Sequence, residues 1–182
     1  MCSNAKCVYY NQSRNLSGNS ILLKITEHDN KALEIIVNYV TENSLHRKWI
    51  LLLLVIFLNV YSLMYEILST NYCVVIYVIV LFIIYNIVFT VRQERVLIVE
   101  PVGYQIEVHY VFGKSTNFIA WENIKSVFIN EVVSKQRVIF IITILTKDTA
   151  KDASAIIPLF TRTMPRLTCL EAIYQHIQHC HS

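Results

Sequence analysis

The chain has 182 residues, 54% of them hydrophobic and only 16% charged, against the roughly 25% charged that is usual in soluble domains. A formal net charge of +3, with no long basic tract, argues against a nucleic-acid partner. Five cysteines without metal-ligand spacing and three glycines scattered along the chain leave neither a metal site nor a phosphate-cradling loop, so no cofactor is expected.

The first 46 residues read as a cytosolic segment. Within it Leu33, Ile35, Val37 and Tyr39 alternate, which favours a strand over a helix. Two uncharged runs follow, WILLLLVIFLNVYSLMY from Trp49 and YCVVIYVIVLFIIYNIVFTV from Tyr72. About 20 apolar residues cross a ~30 Å hydrocarbon core. Residues 47–91 are therefore predicted to form a two-helix transmembrane hairpin, with spans of about 49–68 and 72–91. Asn59 with Ser62, and Asn86 with Thr90, are placed to hydrogen-bond across it or to another subunit. His46, Arg47 and Lys48 before the hairpin, and Arg92 and Arg95 after it, predict a multi-pass protein with both termini cytosolic. On that side the acceptor sequences at Asn11 and Asn15 are expected to stay unglycosylated.

Residues 92–182 read as a second cytosolic domain. RVLIVE (95–100) leads into a turn at Pro101 and Gly103. Tyr104, Ile106, Val108 and Tyr110 then alternate with Gln105, Glu107 and His109, which predicts a half-buried strand with Glu107 and His109 on its wet face. Such a pair resembles an acid–base couple, but solvated neighbours on a strand are the commoner case. Val138–Leu145 is apolar on both faces. Val138, Phe140, Ile142 and Ile144 point one way, and Ile139, Ile141 and Leu145 the other. One face should fill the core and the other should meet a partner. Leu167, Leu170, Ile173, Tyr174 and Ile177 form a helical stripe, with Pro165 in its first turn and Thr163 as its cap. About six strands and a closing helix predict a pleckstrin-homology-like β-sandwich or barrel, giving an α+β fold class beside the membrane hairpin. No nucleophile elbow or HExxH pair is present, so no catalytic residues are assigned.

Ile129-Asn130-Glu131, Val138-Ile139-Phe140 and Pro165-Arg166-Leu167, in their setting within 115–174, resemble the PIG-H family of phosphatidylinositol N-acetylglucosaminyltransferase subunits. The resemblance implies a non-catalytic accessory subunit in the first step of GPI-anchor biosynthesis, the transfer of N-acetylglucosamine from UDP-GlcNAc to phosphatidylinositol. It also implies the endoplasmic reticulum membrane as location, and as partners a PIG-A-like catalytic subunit, the other membrane subunits and the bilayer. Candidate partner or structural residues are Ile129, Asn130, Glu131, Ile139, Ile141, Ile142, Leu145, Pro165, Arg166 and Leu167. The alternative is a membrane-tethered PH-like module that binds lipid or protein. Such modules carry basic residues in the first strand-to-strand loop, whereas Glu100-Pro101-Val102-Gly103 has none.

Overall fold

The computed structural model describes residues 5–28, 32–40, 42–64, 70–134, 136–147 and 154–180. It divides into two compact units, one holding the strands and the last helix, the other the first two helices.

The β-rich unit contains two antiparallel sheets. The larger is a six-stranded meander in the order β1 (Ala5–Arg14), β2 (Ser20–His28), β3 (Ala32–Tyr39), β4 (Val91–Val99), β5 (Gly103–Tyr110) and β6 (Lys114–Ala120). The smaller runs β7 (Ile124–Ser134), β8 (Arg137–Lys147) and β9 (Ser154–Pro158), and is followed by α3 (Leu167–Cys180). Alternation decides the faces. Ile21, Leu23 and Ile25 of β2, Leu33, Ile35 and Val37 of β3, and Val96 and Ile98 of β4 are all essentially inaccessible to water. They join Tyr104, Ile142, Ile144 and the α3 stripe Cys169, Leu170, Ile173 and Ile177 in one core. Fully burying a side chain of this size contributes about 1.5–3 kcal/mol, so the alternating strands supply much of the stability.

The turn between β4 and β5 closes with a bond from Val102 N–H to Val99 C=O at 2.7 Å, with a cis Glu100–Pro101 peptide inside it. Gly103 follows at φ +148, and a Cβ there would run into the carbonyl oxygen of Ile119 on β6. Glycine is thus required by close backbone approach as well as by conformation.

The expected PH-like sandwich or barrel is not what forms. Neither sheet closes into a barrel, because the strands after the helices are shared out. β4–β6 complete a sheet begun by β1–β3, through pairs such as Ile35↔Val96 and Val37↔Glu94, while β7–β9 form a sheet of their own. The helix cap also differs. Thr163 lies four residues before α3 and is wholly buried against Glu94. Arg166 holds the cap position, its carbonyl accepting from the N–H groups of Cys169 (2.9 Å) and Leu170 (3.1 Å).

The helical unit contains α1 (Glu42–Met64) and α2 (Thr70–Val88). Its described side chains are mostly exposed, Phe57 at 69% and Phe82 at 66%, with Leu52 and Ile87 buried. The predicted membrane hairpin is overturned here: among the described residues no helix is long and apolar enough to cross a membrane. The apolar part of α1, from Trp49 to Met64, rises about 24 Å, and that of α2, from Tyr72 to Val88, about 26 Å, at 1.5 Å per residue. The second expected span was to run to Val91, yet Phe89 and Thr90 leave the helix and Val91 opens β4. Residues 65–68 of the first lie outside the described residues. The location as a multi-pass protein of the endoplasmic reticulum membrane with both termini cytosolic needs those spans and is overturned with them.

The Asn86–Thr90 pair also differs from expectation. The Asn86 amide donates to Phe82 C=O of its own helix at 2.8 Å. The Thr90 hydroxyl donates to Asn86 C=O at 2.6 Å and accepts from Lys48 Nζ at 3.0 Å, tying the start of α1 to the end of α2. The side chain of Ser62 lies outside the described residues.

Candidate partner-binding surface

The three-stranded sheet resolves which side of Val138–Leu145 is which. Ile142 and Ile144 are completely buried in the core, and Phe140 packs against it from the same face. Ile139, Ile141 and Leu145 lie on the opposite face, half-buried and outside the core cluster. Cross-strand partners share a face in an antiparallel pair. Val132 opposite Ile139, Asn130 opposite Ile141, Phe128 opposite Thr143, and Ile156 opposite Leu145 therefore complete this outer surface. Ile156 is 57% exposed. At the centre, Thr143 is buried and its hydroxyl donates to Phe128 C=O at 3.3 Å. A register shift between Ile124 and Ser126 returns Ile124 to the core side, so the outer face begins at Ser126.

The residues singled out from the sequence do not share one site. Ile129 faces the core beside Ile142; Asn130 faces outward, half-buried; Glu131 is exposed. Pro165 is buried, Arg166 exposed and Leu167 half-buried at the start of α3. Phe128, Val132 and Ile156 were missed. The alternation of Ser126, Phe128, Asn130 and Val132 along β7 carried that signal, but only the register of β7 on β8 joins it to Ile141.

Two polar clusters were also hidden. Glu94, 4% exposed, accepts from Arg162 N–H (3.2 Å), Thr163 N–H (2.9 Å) and the Thr163 hydroxyl (2.5 Å). Tyr39 donates to Arg162 C=O at 2.6 Å and the Asn15 amide to Thr163 C=O at 3.1 Å. Together they clamp the segment before α3 onto β3, β4 and the β1–β2 turn. Asn15 is 1% exposed with its amide nitrogen engaged, so it offers no glycan attachment in the folded chain.

On the solvent side of the six-stranded sheet, Glu107 accepts from Gln105 (2.7 Å) and contacts His109 Nε2 (3.1 Å), Arg95 (3.5 Å) and Lys114 (3.8 Å). Glu34 pairs with Arg95 at 2.5 Å and His28 at 3.1 Å. The hydrogen bond from His109 holds the Glu107 carboxyl below its usual pKa, with Gln105, Lys114 and Arg95 adding to it against the opposing effect of burial. A carboxylate engaged in this way braces three strands. Glu107 is buried, where the alternation placed it in water.

Residues 95–161, from β4 to just beyond β9, match the family model described as GPI-GlcNAc transferase complex, PIG-H component. Residues 95–161 are thus similar to the PIG-H family. The PIG-H segment thus includes the whole of the outer face described above. Over 91 residues the chain is 37% identical to the H subunit of phosphatidylinositol N-acetylglucosaminyltransferase from Mus musculus, a stretch that is 48% of each chain. The same figures hold for its counterparts from Homo sapiens and Bos taurus. The match thus spans about half the length of these curated relatives. No solved structure matches the chain.

Proposed function

We propose that this chain is a non-catalytic accessory subunit of the complex that transfers N-acetylglucosamine from UDP-GlcNAc to phosphatidylinositol, the first step of GPI-anchor biosynthesis. The observation that carries this reading is the PIG-H match over residues 95–161. The engagement of Glu107 and Glu94 in bracing contacts agrees with an accessory role. In this reading the outer face of β7–β9, with Phe128, Ile139, Ile141, Leu145 and Ile156, seats the PIG-A-like catalytic subunit. An apolar surface of this kind, carried by a subunit without chemistry of its own, is what a permanent partner would cover.

Deleting the chain from its own cells and assaying extracts for N-acetylglucosaminyl-phosphatidylinositol tests the reading. Product should disappear and return when the chain is re-expressed. Unchanged synthesis without the chain would overturn the proposal.

A further inference from the structure

Strand β8 outruns one of its neighbours. β7 follows it to the Ser134↔Arg137 pair, whereas β9 accompanies it only from Lys147 to Thr143, opposite Pro158. One more bond, from Leu159 N–H to Ile142 C=O at 2.8 Å, ends the pairing on that side. Within a strand of an antiparallel sheet, the N–H and C=O of one residue point to one side and those of the next residue to the other. The Leu159–Ile142 bond therefore assigns the even-numbered residues of β8 to the β9 side. Val138 and Phe140 turn their backbone N–H and C=O groups that way, where no described strand pairs with them and no described backbone bond reaches them.

Residues 138–142 supply neither charge nor proline to this edge. Natural sheet edges are blunted by charge, by proline or by a covering segment. Residues 138–142 carry no charge and are themselves apolar: Val138 is 51% exposed, its cross-strand partner Val133 74%, and Ile139 and Ile141 lie half-buried on the outer face, while Glu131 and Asn130 lie one strand further away, opposite Phe140 and Ile141.

We propose that residues 138–141 of β8 accept an extended segment of a partner chain, which adds as a strand in line with β9. Main-chain bonds to Val138 and Phe140 hold it. Its alternate side chains lie beside Val138 and Phe140 on one face, and beside Ile139 and Ile141 on the other. The segment is therefore uncharged and apolar on both faces, a case of strand addition to an open edge. The identity of the partner as the catalytic transferase subunit rests on the function proposed above; the edge geometry does not.

Amide hydrogen exchange on the full chain, alone and assembled with the catalytic subunit, tests this. The amides of Ile139 and Ile141, which face β7, should exchange slowly in both states. Those of Val138 and Phe140 should exchange fast in the free chain and at least 100-fold more slowly in the complex. Val138→Pro removes one edge donor without touching the β7 ladder, so it should melt like wild type and lose at least tenfold in retention of the catalytic subunit, while Val138→Ala retains it. Should the proline variant unfold, the exchange pattern alone decides. Slow exchange at Val138 and Phe140 in the free chain, or fast exchange in the complex, overturns the strand proposal while the proposed function stands. A wild-type chain that does not assemble with the catalytic subunit overturns both.

Discussion

Glu94 and Thr163, 69 positions apart in sequence, meet in a buried contact in which one carboxylate oxygen accepts both the backbone N–H and the hydroxyl of the threonine. A carboxylate buried to this degree is tolerated because its oxygens are met by donors. Thr163→Val keeps the shape and removes the hydroxyl. It should lower stability by about 2 kcal/mol, the scale of a hydrogen bond to a charged group. Glu94→Gln should cost about as much, because its amide group turns a donor toward the N–H of Arg162 or Thr163. Denaturant melts of the two variants check this; a loss below about 0.5 kcal/mol in both would mean the contact is dispensable.

Tyr39 anchors the same clamp from β3, donating to Arg162 C=O. Burial, and secondarily the charge of Glu94, raise its pKa above 10.0. The sign follows from linkage: the folded state favours the protonated phenol, so its contribution is complete below the unfolded pKa of about 10 and is lost as pH rises through the folded value. Eleven tyrosines make the absolute alkaline profile ambiguous, so the difference between wild type and Tyr39→Phe is the useful quantity. Melting between pH 8 and 11 should show the wild-type advantage shrinking toward the alkaline end. A constant difference across that range would count against the clamp.

Glu107 gives the opposite dependence. Its folded pKa lies below 4.5, chiefly through His109. Its stabilising contribution is present above the unfolded pKa and disappears as pH falls through the folded one. Glu107→Gln should therefore be less stable than wild type at pH 6, and the gap should narrow below about pH 4.5. If acid titration leaves the gap unchanged, the ionised carboxylate is not what binds Arg95, Lys114 and His109 together.

These contacts explain where sequence reading reached its limit. The strand over Tyr104–Tyr110 was legible because its alternation is local. So was the helix from Leu167, whose apolar residues recur every three or four positions. The six-stranded sheet was not, because β1 reads AKCVYYNQSR with no alternation and is specified by pairing with β2. Glu107 looked solvated because a period of two assigns a face and says nothing of what folds over it. Thr163 looked like a cap because threonine before a proline and an apolar stripe usually is one; only the fold brings Glu94 to it. The uncharged run at Tyr72 gave apolarity correctly but not where α2 stops, at Val88.

The run from Val138 to Leu145 withheld its faces for a different reason. Both are apolar, so no pattern separates core from surface until register is known. With Ile142 fully buried and Ile141 on the outer face, the two neighbours now have distinct expectations. Ile142→Lys places an ammonium in the core beside Ile144 and Ile129. It should cost about 4 kcal/mol or more and abolish cooperative melting. Ile141→Lys opposite Asn130 leaves the new charge in reach of water, and its melting should fall within about 1 kcal/mol of wild type. If the outer face seats the catalytic subunit, the same substitution strips that subunit from the chain on affinity purification and removes GPI-anchored proteins from the cell surface. A folded Ile141→Lys chain that still retains the subunit would exclude the outer face as the contact, and would leave the open edge at Val138 and Phe140 to be judged by its own exchange pattern.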